Sequence, residues 1–219
     1  MQSPDLVIFD LDGTLLDTLA SLAEAFNESL SAMGHAPHPV ESYRYFIGDG
    51  ARVAAERCLP EPYRTEDAIS ECVGLFRSYY DNRWDDAVVF PGIHELLGQL
   101  QYRVSLAVLS NKDQAFTGKM VDHYFPGVFS KATGSGTGVP QKPHPAGATL
   151  IIEALGSSPA GTWLVGDTAV DMQTAVACNI RGVGVLWGFR DADELNSGGA
   201  AALVESPLEI LDLIDAEVQ

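Results

Sequence analysis

Positive charge is what this chain has least of. Its 219 residues carry 13 Lys and Arg against 30 Asp and Glu, a formal charge of −17. Just four are lysines: Lys112, Lys119, Lys131 and Lys142. Nucleic acid and anionic membranes are bound through basic patches, so no nucleic-acid partner and no membrane partner is expected. Cysteine is also scarce. Cys58, Cys72 and Cys178 are odd in number and widely spaced, with no CxxC and no Cys/His spacing. That excludes a disulfide framework and a zinc site of ordinary pattern, and a reducing cytoplasmic setting is the expectation. No apolar run approaches the roughly 20 residues that a membrane helix needs. The first residues show no basic stretch leading into an apolar one, so no secretory leader is expected. Low complexity is confined to the glycine-rich "GSGTG" at 134–138.

What is present is a regular alternation. "LVIF" (6–9), "VSLAVL" (104–109), "TWLV" (162–165) and "GVGVL" (182–186) are short, apolar and bounded by turn residues. Continuous apolar runs of this kind predict strands covered on both faces, as in a parallel sheet. "VFSKAT" (128–133) and "AALV" (201–204) are weaker strand candidates. Helical spacing marks 92–100, 112–125, 145–155, 169–178 and a last helix near 207–216. The pattern predicts a doubly wound, mostly parallel α/β fold. Residues 18–88 break it. "LASLAEAFNESLSAMG", ended by Gly34, and three further segments are helical in period, with no convincing strand. The expected organisation is therefore an α/β core of residues 1–17 and 89–219, with an inserted α-helical cap at 18–88.

Polar residues gather at one kind of place. The first strand runs into Asp10 and Asp12, the second into Ser110, Asn111 and Lys112, and the third into Asp167, with Asp171 a helical turn later. In an open parallel sheet these are all carboxyl ends, where ligands bind. Four aspartates crowded there would repel one another, and a divalent cation relieves this. Hard oxygen ligands suit Mg2+, which takes a carboxylate or two plus a substrate phosphate. Lys142, on a loop between Gln141 and Pro143, would neutralise phosphoryl charge beside the metal. An aspartate next to Mg2+ can attack phosphorus. A second carboxylate two residues on can protonate the leaving oxygen and then activate water. Gly13 lets the backbone approach a phosphate closely, and Ser110 with nearby N–H groups can hold its oxygens.

"DLDGT" after one strand, "LSNK" after a second, "KPHP" on a loop and "GDTAVD" after a third resemble the four ordered motifs of the haloacid dehalogenase superfamily. "LLDTLASLAEAFNESL", "FIGDGARVAAERCL" and "GVLWGF" are most similar to its phosphoglycolate phosphatase branch. The resemblance spans essentially the whole chain. It implies a Mg2+-dependent phosphomonoesterase with Asp10 as nucleophile and metal ligand, and Asp12 as general acid/base with its main-chain carbonyl on the metal. Asp167 would ligate Mg2+ and Asp171 would support it, directly or through water. Gly13, Ser110, Asn111 and Lys142 would bind phosphate. The partner implied is a small phosphate ester, with 2-phosphoglycolate first. A sugar phosphate, a nucleotide or pyrophosphate is the alternative. Gln141 departs from the branch, where a basic residue often precedes the lysine, and "GSGTG" is unusual.

Plainer readings stand beside these. Ser110 and Asn111 could cap a helix starting near Lys112. Lys112 itself is as readable as a surface lysine, and Asp171 as a solvated residue of a first helical turn. His35 and His38 read as a loop bounded by prolines, and His144 as structural. Gly48 and Gly50, in "GDG", mark either a helix-start turn or a loop that reads the substrate. Arg52 is either a solvated helix arginine or the partner of a substrate carboxylate. A phosphosugar mutase and a phosphonate hydrolase each rely, by family analogy, on a cap lysine, and all four lysines lie outside 18–88. A carbon–halogen enzyme would not need Asp12 or the acidic third strand end. A non-enzymatic relative would be expected to lack Asp10. Nothing in the residues distinguishes a monomer from a dimer.

Overall fold

The computed structural model describes residues 3–217. Its centre is a six-stranded sheet in which every pairing is parallel. The strands are β1 (Leu6–Phe9), β4 (Ser105–Asp113), β5 (Lys131–Ser135), β6 (Thr162–Gly166), β7 (Arg181–Val185) and β8 (Ala202–Val204), in the order β5-β4-β1-β6-β7-β8. Two short strands, β2 (Leu16–Asp17) and β3 (Val88–Val89), pair antiparallel apart from it.

Strand β1 shows why the sheet needs two covers. All four of its residues are fully buried, yet they divide by parity. Val7 and Phe9 pack with residues of α5 (Ile93–Leu100), α6 (Gln114–Tyr124) and α10 (Glu209–Ala216). Leu6 and Ile8 pack with residues of α7 (Ala146–Ala154) and α8 (Ala169–Cys178). Successive strand side chains point to opposite faces, so an uninterrupted apolar run requires helices on both. Each such side chain contributes about 1.5–3 kcal/mol by leaving water.

Between β2 and β3 the chain is helical: α1 (Leu19–Ala32), α2 (Tyr43–Phe46), α3 (Ala51–Cys58) and α4 (Glu66–Tyr80). These helices share an apolar cluster that also takes in Phe116 of α6 and Phe189 of the loop after β7. The cluster therefore crosses the seam between the helical segment and the sheet. Among the described residues no helix is long and apolar enough to cross a membrane.

The structure corrects the boundaries of two strands: the candidate at 128–133 is β5 at Lys131–Ser135, which runs into the glycine-rich stretch, and β4 is longer than expected. The sequence predicts a strand ending at 109 and a helix from 112, but β4 continues to Asp113 and α6 starts at Gln114. Its pairing with β5 is interrupted between Leu109 and Asp113. Such an irregularity re-aims side chains, and here it carries Ser110, Asn111 and Lys112. Helix α9 (Ala192–Gly198) and the ribbon of β2 and β3 are further additions to the sequence reading.

Candidate active site

Register brings the site together. Strand β1 lies between β4 and β6, with Phe9 opposite Val108 on one side and Val165 on the other. The residues one or two positions further on therefore meet at the carboxyl end of the sheet: Asp10, Ser110 and Asp167. The chain after β1 turns at once. Leu11 O accepts from the N–H groups of Leu15 and Leu16 at 3.0 Å each, and Gly13 N–H donates to Leu16 O at 2.8 Å. Gly13 sits at φ +84°, and a Cβ there would collide with the Asp167 carboxylate. Only glycine allows the loop and that carboxylate to lie so close.

Asp10, Asp167 and Asp171 are all buried, and each offers an oxygen within 4.8 Å of the others. Lys142 Nζ lies 2.8 Å from Asp10 Oδ1 and 2.6 Å from Asp171 Oδ1. Two of the three carboxylates thus share one ammonium, and no ion pair joins that ammonium to Asp167 among the described residues. Burial pushes the Asp10 carboxyl up to about 7, with Lys142 opposing and Asp171 and Asp12 adding to the rise. Burial likewise pushes Asp167 up to about 8, reinforced by the Asp10 and Asp171 charges. The Phe189 N–H, 2.9 Å from Asp167 Oδ2, and the Thr14 hydroxyl, 3.1 Å from Oδ1, only partly offset this. Asp10 Oδ1 meets Lys142 as an ion pair but accepts no hydrogen bond of good geometry. A buried, under-served carboxylate oxygen beside two more carboxylates is a donor set that fits a hard divalent cation. Asp171 is more fully engaged. Its Oδ1 accepts from Lys142, and its Oδ2 accepts from Thr168 N at 3.1 Å and Thr168 Oγ1 at 2.7 Å.

A cavity of about 580 Å3, counting its open mouth, lies between this end of the sheet and the helical segment. Asp10, Asp12, Ser110, Asn111 and Lys112 lie on its wall, as do Gly48 and Gly50. Ser110 Oγ accepts from Lys112 N at 3.2 Å, inside the strand irregularity rather than as a helix cap. Asn111 ties the parts together. Its amide nitrogen donates to Lys142 O at 3.0 Å and to Gly48 O at 3.2 Å, while its Oδ1 accepts from Lys142 N at 2.8 Å. Gln141 has a local role too: its Nε2 donates to Asn111 O at 3.1 Å, and a Cβ on Gly50 would come within 2.6 Å of it.

The sequence profile of the haloacid dehalogenase-like hydrolases matches residues 7–185. The chain belongs to that family. Among curated relatives of this hydrolase, the phosphoglycolate phosphatase of Pseudomonas putida is 32% identical over 215 residues, covering 95% of this chain and 76% of the relative. That of Psychrobacter arcticus is 29% identical, covering 87% and 88%. A crystal structure from Lactobacillus delbrueckii subsp. bulgaricus superimposes with a TM-score of 0.90 at 31% identity, covering 98% and 99% of the two chains. A haloacid dehalogenase-like family hydrolase from Streptococcus pneumoniae gives 0.87 at 28%, covering 97% and 99%.

Lys112 is where sequence reading fell short. It is buried, not a surface lysine, and its Nζ lies 2.9 and 3.1 Å from the two oxygens of Asp12. It also stands 4.6 Å above the Tyr80 ring of α4. Burial works to lower its pKa, but Asp12 and Tyr80 outweigh that and hold it above the ordinary lysine value. Its place one residue past Asn111, at a carboxyl strand end in a lysine-poor chain, was the available signal. The structure does not bring Arg52 to the site: its exposed side chain pairs with Glu66. The histidines are structural. His38 Nε2 lies 2.8 Å from Cys58 O, and His144 Nδ1 accepts from Ala146 N. His35 packs against Tyr63 with the rings tilted by 55° and centroids 4.7 Å apart.

Proposed function

We propose that the protein is a phosphoric monoester hydrolase that works through a phosphorylated Asp10, with residues 18–88 serving as a cap over the site. The observation that carries this reading is Asp10 itself. It is a buried carboxylate at the wall of the cavity, with one oxygen lacking a hydrogen bond and a cation beside it. An Asp10 oxygen attacks phosphorus, and the bond to the ester oxygen breaks. Asp12 gives that oxygen its proton. Asp12, now a carboxylate, takes a proton from water, whose oxygen displaces Asp10 and releases inorganic phosphate. Lys112 fixes Asp12 in place for both transfers. Lys142, Ser110 and the backbone N–H of Asn111 hold the phosphoryl oxygens, the Asn111 side chain holds the Lys142 backbone in place, and Gly13 lets the backbone approach those oxygens. Asp10 and Asp167, with the Asp12 carbonyl, would hold Mg2+, and Asp171 would steady the group through Lys142 and Thr168. When bound, the metal supplies positive charge against the phosphoryl oxygens.

The apolar cluster that crosses from the helices to Phe116 and Phe189 supports a cap that seals the reaction from bulk water. The names of the relatives make 2-phosphoglycolate the first natural ester to assay. The test uses p-nitrophenyl phosphate and 2-phosphoglycolate with Mg2+, with EDTA, and with Asp10→Asn. Hydrolysis is expected to require the metal and to vanish in Asp10→Asn. Unchanged turnover by that variant would sink the nucleophile assignment.

A further inference from the structure

The part of the cavity beyond Asp10 is apolar. Leu22 and Phe26 of α1, Ile47, Phe76 of α4, Phe116 of α6 and Phe189 line it, and each is at most 7% exposed. The aromatic members form a rigid row. Phe26 stacks on Phe76 with centroids 4.0 Å apart and planes within 12°. Phe76 stacks on Tyr80 at 5.3 Å, and Tyr80 meets Phe116 edge-on at 4.9 Å.

Charge on this wall is already neutralised. Beyond Asp10, its charged side chains are Asp12, Lys112 and Asp113. Lys112 pairs with Asp12, and Asp113 accepts from Arg77 Nε at 2.6 Å. No unpaired cation lines the cavity among the described residues. Arg57 pairs with Asp49 at 2.6 Å and Arg52 with Glu66, both off the wall. Among the described residues the wall offers a substrate carboxylate no cation but Lys112, which Asp12 already engages through both oxygens. Such a group stays strongly disfavoured without a partner of its own.

We infer that this site selects phosphate monoesters of an uncharged alcohol with an apolar body, an alkyl or aryl phosphate, over esters that carry a carboxylate. The inference rests on the phosphatase reading and names its substrate class. A leaving group of this kind fills the aromatic-lined space, displaces water from it, and needs no counter-charge. Ala51, at the start of α3 on the same wall, is where a cation is missing.

The experiment measures kcat/KM with Mg2+ for n-alkyl phosphates from ethyl to hexyl, beside 2-phosphoglycolate and p-nitrophenyl phosphate. Each added methylene is expected to raise kcat/KM by about fourfold until the space is filled, the equivalent of burying one CH2. n-Propyl phosphate, close in size to 2-phosphoglycolate, should exceed it by about tenfold or more, a modest fraction of what an unpartnered buried charge costs. Ala51→Arg should narrow or reverse that ratio. A series that stays flat with chain length, or 2-phosphoglycolate ahead of n-propyl phosphate, would overturn the inference while leaving Asp10-dependent hydrolysis of p-nitrophenyl phosphate intact. If the wild-type protein turns over none of these esters, the phosphatase reading falls, and this inference with it.

Discussion

The Lys112 ammonium meets Asp12 through both carboxylate oxygens, and that arrangement has a measurable consequence. Hydrogen bonds to a charged group contribute about 1.5–3 kcal/mol each way of counting. Lys112→Met keeps the stem over Tyr80 and removes the charge, so kcat is expected to fall by about 10- to 100-fold. KM should change far less, because the proton donor and not the phosphate grip is disturbed. Steady-state kinetics, with far-ultraviolet circular dichroism to check folding, decides this. The aspartates give a second prediction. Asp10 and Asp167 are raised by burial from 3.8 to about 7 and about 8, so the folded, metal-free chain binds more protons than the unfolded one between those values. The contribution of these two groups to stability is then fully present below about pH 4 and is lost as pH rises through the folded values. The melting temperature of the metal-free protein should fall between about pH 5 and about pH 8, and Mg2+ should raise it more at the upper end. A metal-induced shift that is equal at both ends would contradict the proposed ligands.

At the scale of elements, α8 is pinned to the site by its own third residue. Asp171 accepts from Thr168 at the N-cap and from Lys142 of the loop before α7. Asp171→Ala unties the first turn and leaves Lys142 with Asp10 alone. Breaking a buried pair in this way costs about 3–5 kcal/mol, which urea denaturation will register as a lower midpoint. The same scale shows what could be read from the sequence. β1 falls on 6–9 as predicted, because a strand covered on both faces has no polar residue to blur its ends. Asp10, Asp12, Ser110 and Asp167 were visible as polar residues at carboxyl strand ends, Asp171 one helical turn further on, and Lys142 as a lysine on a proline-rich loop. The end of β4 was not: "SNKD" carries no apolar signal, since the strand resumes its pairing only at Asp113 while the side chains before it serve the cavity. Strands β2 and β3 are two residues each, too short for any period. Helix α9 buries Leu195 and Gly198 alone, so it has no apolar stripe. Its start was nonetheless written in Asp191 and Glu194, where the Asp191 side chain accepts from Glu194 N at 2.9 Å. Arg52 misled for the opposite reason: on a helix beside a glycine loop, facing inward and facing solvent look alike in sequence.

Taken whole, the molecule carries a formal charge of −17, which opposes the approach of any phosphate ester. Added salt screens that repulsion over roughly 8–10 Å. The value of kcat/KM for an anionic ester should therefore rise as KCl is increased from low to physiological levels, opposite to an enzyme that steers its substrate by attraction. The ion pairs across the seam, Arg77 with Asp113 and Lys119 with Asp81, are largely exposed and contribute about 1 kcal/mol or less. The apolar contacts of Phe116 and Phe189 hold the seam together with the buried Arg190 guanidinium, which donates to Arg44 O and Ile47 O. Where the helical segment begins and ends, Leu16 lies opposite Val89 and Asp17 opposite Val88. The chain therefore leaves and returns at a single doorway one strand spacing wide. Residues 18–87 are a cassette with no net displacement, so a two-residue turn could close the gap without rethreading the sheet. A different cassette could hang from the same two strands, provided it covers Phe116 and Phe189.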